Sequence, residues 1–354
     1  MNKPTLILLA FITVLASCHK DDQTQTTNDK RLMQIAHSTY INEYNDHTQG
    51  WAGRSDVIWQ DSVIVSVEGN TIEYNGDTIS IYDSYHNLIR RAFLEDGRIT
   101  RVNTGGMYEG NSYAPWYTFT YNSNGEIESI EKMCASCAPT TITFTWENGN
   151  LIQIHEECLY DWNSNNNTYS RYEKTKYLSY DNKNTCWEGM ELYFLIYLSE
   201  CPIQISKNNV SSIKEISILQ SDYSIGEGNC GNETHDTVET NYRYTYRGNY
   251  PILREVEENI TGFYRKDKEY YIYKDGTSAS VPQFCTITVI PQSPDHADEC
   301  GRLELGGGLY EKGATAILST CKCRPVRWSD GSTDNPHSIV VTEDATYTAI
   351  FTDN

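Results

Sequence analysis

The chain has 354 residues and a formal net charge of −20, with 48 acidic side chains against 28 basic ones. This charge makes nucleic acid and anionic membrane surfaces poor partners, because both repel an acidic protein. The 27 tyrosines against 8 phenylalanines are typical of half-buried β-strands that show one face to water. The length favours two domains, and we therefore expect an all-β protein of more than one domain.

An apolar run from Leu6 to Leu15 follows Lys3. It has only about half of the ~20 residues that a membrane-spanning helix needs, and therefore indicates a secretory signal peptide. Leu15-Ala16-Ser17-Cys18 resembles the lipobox of bacterial lipoproteins. The resemblance implies that residues 1–17 are removed and that Cys18 becomes the acylated first residue of the mature protein. Several acyl chains would anchor it stably, so a membrane is an expected partner through the lipid alone.

The residues after the cysteine carry a second signal. Lys20-Asp21-Asp22 resembles the surface-export tag of Bacteroidota lipoproteins, which implies a location on the outside of the outer membrane. The alternative is that these charged residues are part of a solvated tether and carry no export signal. Residues 21–30 contain no apolar side chain and cannot offset the entropy of ordering, so we interpret residues 18–31 as a flexible tether.

A hairpin unit repeats through residues 32–275. Thr118–Tyr121 leads through a turn ending at Gly125 into Glu126–Ile130, and Thr141–Trp146 leads through Gly149 into Leu151–Ile154. Asn-Gly turns between alternating strands indicate antiparallel hairpins, which favour a curled meander or a soluble barrel-like sheet. A soluble barrel is favoured because the positions predicted to face outwards are polar, namely Glu126, Glu128, Thr143 and Gln153. The one possible helix lies near residues 32–44.

These repeats resemble, weakly, the tyrosine-aspartate repeats of Rhs-type shells. Over residues 60–275 they resemble more closely a family of uncharacterised Bacteroidota lipoproteins with a porin-like fold. The resemblance implies a barrel-like antiparallel sheet and no activity.

A second module is predicted after a linker at residues 276–283. Gly306–Leu318, Trp328–Pro336 and Val340–Phe351 together resemble the internalin-type B-repeat module of bacterial surface proteins. The resemblance implies a small β-grasp-like domain at residues 284–354, with Trp328, Tyr347 and Phe351 supplying its aromatic centre. The sequence departs from the pattern at residues 321–325 and 291–300.

Ten cysteines remain after Cys18, an even number that indicates disulfides in an exported protein. Six fall in the hairpin region and four in the C-terminal module, so pairing within each group is the simplest hypothesis. Cys321 and Cys323 stand two apart and should point the same way on a strand, which leaves Cys285 and Cys300 as their partners. The candidates are Cys134, Cys137, Cys158, Cys186, Cys201, Cys230, Cys285, Cys300, Cys321 and Cys323.

The sequence contains three groups of residues with the types found in catalytic or metal sites. Cys134, Cys137, His155 and Cys158 have the residue types of a zinc site, but a second matching pair is absent, so we expect no metal and no cofactor. His155, Glu156 and Glu157 alternate along a strand and should not converge as an acid–base group. Asp330–Asn335 has only a fragment of calcium-loop spacing and fits a turn better.

Trp51, Trp59, Trp116 and Trp187 fit either a sugar-stacking platform or a core. Without a pattern that ties them to one face, the core is favoured.

Two classes of function follow. The favoured one is a non-enzymatic, lipid-anchored surface protein that binds or displays a ligand, with a glycan and a host protein as candidates and the C-terminal module as spacer or contact domain. The alternative is a surface hydrolase acting on carbohydrate, with a carboxylate pair that the sequence does not locate among the 48 acidic residues.

Overall fold

The computed structural model describes residues 30–43, 47–104, 114–133, 139–163, 168–197, 201–223, 233–260, 263–292, 306–320 and 326–351. The sixteen strands of the hairpin region are β1 (Leu32–Glu43), β2 (His47–Gln60), β3 (Val63–Val67), β4 (Asn70–Asn75), β5 (Thr78–Tyr82), β6 (Leu88–Glu95), β7 (Arg98–Thr104), β8 (Trp116–Tyr121), β9 (Ile127–Met133), β10 (Thr140–Glu147), β11 (Asn150–Asn163), β12 (Thr168–Asn184), β13 (Asn208–Tyr223), β14 (Glu233–Arg247), β15 (Tyr250–Ile260) and β16 (Phe263–Tyr273). The C-terminal strands are β17 (Phe284–Pro291), β18 (Gly308–Glu311), β19 (Thr315–Leu318), β20 (Val326–Trp328), β21 (His337–Val340) and β22 (Ala345–Phe351). Between β12 and β13 lie helix α1 (Glu191–Tyr197) and a 3₁₀ helix (Ile203–Ile205).

The predicted hairpins are present. β8 pairs with β9 and β10 pairs with β11, both antiparallel. The tight turn between β10 and β11 places Asn148 at φ 53° and Gly149 at φ 79°, the left-handed conformation that an Asn-Gly turn adopts readily. The all-β class predicted from the sequence is therefore confirmed.

The chain divides into two compact units. The first contains residues 56–239 together with the chain up to Arg31. In it the end of β2 pairs with β3, and the strands from β3 to β13 pair in chain order. Helix α1 packs against β6 and the 3₁₀ helix. The core of this unit is apolar and includes Ile81, Ala92, Val102, Ile130, Ile142, Leu151 and Ile196.

The second unit contains residues 32–55 and 240–354. Here β14, β15, β16 and β1 are antiparallel neighbours. Among the C-terminal strands, β17 pairs with β18 and β22, β20 pairs with β22, and β19 and β21 form a separate two-stranded sheet. Their core encloses the fully buried Trp328, with Tyr347 and Phe351 packed against it, as the aromatic pattern predicts.

The pairings form a closed series. β13 and β14 are joined by hydrogen bonds from Gln220 Nε2 to Glu233 and from Thr234 Oγ1 to the Leu219 carbonyl oxygen. β1 is hydrogen-bonded to both β2 and β16, so the sixteen strands of the hairpin region form a closed antiparallel barrel. Closure gives both edge strands a partner. Of the two predicted forms, the barrel-like sheet is the one observed.

The structure differs from the sequence-based expectations at β1 and at the predicted domain boundary. The predicted helix near residues 32–44 is wrong, because this segment is strand β1, paired with β16 from Leu32 to Glu43; tertiary pairing overrides a weak local pattern. The predicted boundary at residues 276–283 does not coincide with the division between the compact units, since residues 284–354 share a unit with β1 and β14–β16. A separate C-terminal domain stays a prediction.

Within the described residues, no helix combines the length and the apolar character needed to cross a membrane.

Candidate functional site

A row of side chains crosses four strands of the second unit. Tyr244 pairs with Arg254, Arg254 with Glu269, and Glu269 with His37. Residues in register on neighbouring strands point to the same side of a sheet, so these four side chains share one face. A second row beside it contains Tyr242, Val256, Asp267 and Thr39.

Strand β2 extends the first row. A Cβ atom at Gly53 would lie 2.8 Å from the ring of His37, so the glycine leaves space for the imidazole. Trp51 is two residues from Gly53 and points to the same side; its side chain is 47% exposed. We call this surface the polar-aromatic face, and it comprises His37, Trp51, Gly53, Tyr242, Tyr244, Arg254, Asp267 and Glu269.

An ion pair between Arg254 and Glu269 lies at the centre of this face. The Tyr271 hydroxyl donates a hydrogen bond to Glu269 Oε2 at 2.7 Å, and the Arg254 guanidinium carbon lies 5.3 Å from the centre of the Tyr242 ring. Burial alone would lower the pKa of Arg254, but the charge of Glu269, together with smaller contributions from Tyr271, Tyr244 and Tyr242, raises this pKa above its usual value. The cation is therefore fixed between a carboxylate and an aromatic ring.

Two buried polar atoms of the face have no hydrogen-bond partner among the described residues. They are Arg254 Nε, a donor, and Asp267 Oδ1, an acceptor. The other oxygen of Asp267 lies 2.8 Å from a guanidinium nitrogen of Arg265. A buried polar atom without a partner costs about 1–3 kcal/mol, so such atoms mark places where a polar ligand can be favourable.

The opposite side of the same strands is covered by the C-terminal strand β18. Glu311 accepts hydrogen bonds from Ser38 Oγ at 2.6 Å, from Lys268 Nζ at 2.6 Å and from the Tyr270 hydroxyl at 3.0 Å. Burial would raise the pKa of Glu311, but the hydrogen bonds from Lys268 and Ser38 and the charge of Lys268 lower it below its usual value. The carboxylate therefore stays charged and holds β18 on β1 and β16.

Tyr310 strengthens this attachment. Its hydroxyl lies 2.9 Å from the Thr48 carbonyl oxygen and 2.8 Å from that of Gly306. Gly308 pairs with Gly50 of β2, and a Cβ at Gly308 would lie 2.2 Å from the Gly50 oxygen. One side of this part of the sheet is thus occupied by the chain itself, and the polar-aromatic face is the other.

A separate charged cluster lies in the first unit. Glu215 contacts Lys174 Nζ at 3.5 Å and Lys176 Nζ at 3.2 Å, and Lys176 Nζ lies 3.7 Å from Cys201 Sγ. Burial raises the pKa of the Cys201 thiol above its usual value. The thiol is therefore protonated at neutral pH and is a poor nucleophile.

The described cysteines include thiols that are not in disulfides, namely Cys158, Cys201 and Cys285. Cys285, one of these thiols, is 2% exposed in the C-terminal core. The expectation of a disulfide at these three positions is therefore not met here. Cys186 is buried, and Cys134, Cys137, Cys230, Cys300, Cys321 and Cys323 lie outside the described residues; their pairing stays a prediction.

The other predicted site residues are dispersed. Cys18, Lys20, Asp21 and Asp22 lie outside the described residues. Within the described residues, no group of three or more histidine, cysteine or acidic side chains could hold a metal ion. His155 Nδ1 lies 2.9 Å from Thr175 Oγ1. The Asp330 segment is a turn, in which Asp330 also lies 2.8 Å from His337 Nε2.

The tryptophans do not form one platform. Trp59 lies under Arg31, Trp116 under Arg101, and Trp187 packs edge-on against Phe194. Trp51 alone of the four belongs to the exposed large apolar side chains. Its neighbours on the polar-aromatic face come from strands about 200 residues later in the chain, which explains why sequence patterns did not find the site.

Comparison with known proteins gives a fold likeness. No family model matches the chain, and no curated protein matches it. A porin-like protein from Bacteroides vulgatus is similar at 13% identity and a TM-score of 0.43, covering 70% of this chain and 99% of that one. A porin-like protein from Bacteroides uniformis is similar at 15% identity and a TM-score of 0.41, covering 71% of this chain and 100% of that one. At these values the likeness says nothing about ligand or activity.

Proposed function

We propose that this protein is a lipid-anchored, non-enzymatic binding protein exposed on the outside of the outer membrane, with the polar-aromatic face as its binding surface. The observation that carries the proposal is Trp51, an exposed indole on the same face of the sheet as the Arg254–Glu269 ion pair. Binding sites commonly combine aromatic side chains with a few fixed polar groups. The C-terminal strands close the other side of these strands and leave this face for the ligand.

The proposed location of the protein depends on its N-terminal sequence. The resemblance of Leu15-Ala16-Ser17-Cys18 to a lipobox supports an anchor at Cys18, and the resemblance of Lys20-Asp21-Asp22 to the export tag supports exposure at the surface. Exposed threonines on the sheet of the first unit, such as Thr118, Thr120 and Thr143, favour contact with water over contact with lipid. We therefore propose that the lipid, and not the sheet, holds the protein at the membrane.

The anchor is tested by the variant Cys18→Ala. We expect the wild-type protein to partition into detergent and the variant to be released into the soluble fraction, because the acyl chains are lost. The matched control is Ser17→Ala, which keeps the cysteine and a small residue before it. A Cys18→Ala protein that still partitions like the wild type would show that the anchor lies elsewhere.

Surface exposure is tested by protease treatment of intact cells. The wild-type chain should be degraded, while replacement of Lys20, Asp21 and Asp22 by alanine should protect it. Protection of the wild-type chain itself would place the protein in the periplasm and contradict this part of the proposal.

A hydrolase is the second candidate because two carboxylates share the polar-aromatic face. Asp267 and Glu269 stand two residues apart on β16, and same-side neighbours on a strand are about 7 Å apart, within the range of an acid–base pair. Each is paired with an arginine, Asp267 with Arg265 and Glu269 with Arg254. This pairing favours binding over proton transfer. Release of reducing ends from polysaccharides, abolished by Glu269→Gln in a folded protein, would favour the hydrolase instead.

A further inference from the structure

The polar-aromatic face combines aromatic rings with fixed polar side chains. What we infer from this combination rests on the proposed binding function. We infer that the face binds a neutral oligosaccharide that lies across strands β2, β1, β16, β15 and β14. Trp51 at one end and Tyr242 and Tyr244 at the other would stack on sugar rings. Arg254, Asp267 and Glu269 between them would hydrogen-bond the hydroxyl groups.

The dimensions of the face fit an extended ligand. The row from Gly53 through His37, Glu269 and Arg254 to Tyr244 crosses five strands. Neighbouring strands are about 4.8 Å apart, so this row is roughly 19 Å long. A short chain of linked sugar rings has this length, and a single sugar would cover only part of it.

The polar groups of the face select hydroxyls. Arg254 Nε is a donor and Asp267 Oδ1 an acceptor, and both lack partners among the described residues. The two residues are diagonal neighbours, because Arg254 pairs with Glu269 and Asp267 with Val256. A hydroxyl group both donates and accepts, so a sugar can satisfy both. The two atoms themselves are buried, but Arg254 and Asp267 each retain 23% side-chain exposure, so a sugar hydroxyl would have to enter between the two side chains to reach them.

Charge selects a neutral ligand. The protein has a net charge of −20, and the positive charge of Arg254 is already balanced by Glu269. A polyanionic glycan would be repelled by the protein as a whole and would meet no unpaired cation at the centre of the face. Besides the hydrogen bonds to hydroxyl groups, the aromatic rings attract the apolar faces of sugar rings, whatever the salt concentration.

The test is calorimetric titration of the full-length protein, purified in a detergent without a sugar headgroup. The probes are β-linked and α-linked oligomers of glucose, mannose, galactose and xylose, with an oligogalacturonate as the charged comparison. We expect at least one neutral series to bind, with affinity rising with chain length up to the size of the face, and the oligogalacturonate not to bind. Trp51→Ala should weaken binding at least about fivefold, the equivalent of one aromatic contact.

The matched control is Tyr85→Ala, which removes an aromatic side chain that is 85% exposed in a turn of the first unit. It should bind the oligosaccharide like the wild type, and both variants should melt like the wild type. A second measurement is tryptophan fluorescence, which should change on binding in the wild type and not in Trp51→Phe.

The outcomes separate this inference from the proposed function. If no neutral oligosaccharide binds but a protein ligand does and Trp51→Ala abolishes that binding, the carbohydrate inference is wrong and the binding function stands. Oligosaccharide binding that Trp51→Ala leaves unchanged also overturns the inference. If no glycan and no protein from a binding array is retained, both are wrong.

Discussion

The direction of single side chains determines which side of β1, β2 and β16 contacts the C-terminal strands and which side forms the polar-aromatic face. Alternation along β16 sends Lys268 and Tyr270 to Glu311 of the C-terminal strands, while Asp267 and Glu269 face the other way. A one-residue shift in register would exchange the two sets. The attachment of the C-terminal strands and the polar-aromatic face therefore depend on the same register.

We predict that Glu311→Gln destabilises the protein by about 1–3 kcal/mol near neutral pH, because Lys268 loses its charged partner in a half-buried position. The pKa of Glu311 is lowered on folding, so its contribution is fully present above the pKa of the unfolded state and is lost as the pH falls through the folded-state value. Thermal melts of wild type and variant should therefore differ most at pH 7 and converge as the pH falls through the lowered pKa of Glu311.

Glu343→Gln, at an exposed position of the same C-terminal region, is the control and should leave the melting temperature unchanged. A difference between wild type and Glu311→Gln that does not shrink at acid pH would contradict the role given to the charge.

Among the elements, β18 is the one that joins the C-terminal strands to the barrel strands of its unit. It pairs with β17 on one side and approaches β2 through Gly308 and Gly50 on the other. The two glycines allow the backbones to come closer than any side chain would permit.

We predict that Gly308→Ala costs roughly 3 kcal/mol or more, since the new methyl group would overlap the Gly50 backbone and φ is +139° there. Gly248→Ala is the matched control, because Gly248 also has a positive φ, +66°, but has open space around it; it should cost about 1 kcal/mol. Denaturant unfolding of both variants measures the difference. Equal effects would show that the close approach to Gly50 contributes nothing.

At the scale of the whole molecule, the C-terminal strands both form a core of their own and attach to barrel strands of the same unit. Residues 284–354 have a core of their own around Trp328, yet they share a compact unit with β1 and β14–β16. The contacts of Tyr310 and Glu311 with Thr48, Ser38 and Lys268 are the reason.

We predict that residues 284–354, expressed alone under oxidising conditions, melt cooperatively because of this core. The melting temperature should be lower than for the same region in the full chain, because the partners of Tyr310 and Glu311 are missing. Calorimetry of the fragment and of the full-length protein makes the comparison. A disordered amide spectrum of the fragment would show that the boundary at residues 276–283 is wrong.

The amino-acid sequence by itself determined the local features of this protein. The alternation of residues such as Thr141–Trp146 and the turn at Asn148-Gly149 predicted antiparallel hairpins, because strand period and turn conformation depend on neighbouring residues. Trp328 was assigned to a core through the resemblance of residues 284–354 to the B-repeat module.

The tertiary structure alone decided three features: that residues 32–43 are strand β1 and not a helix, that β1 closes the barrel against β16, and that Trp51 shares a face with Arg254 and Glu269. Each depends on the pairing of β1 with β16, whose partners are 220 to 241 positions apart in the chain. Such pairing depends on the packing of the whole chain, which no local pattern contains.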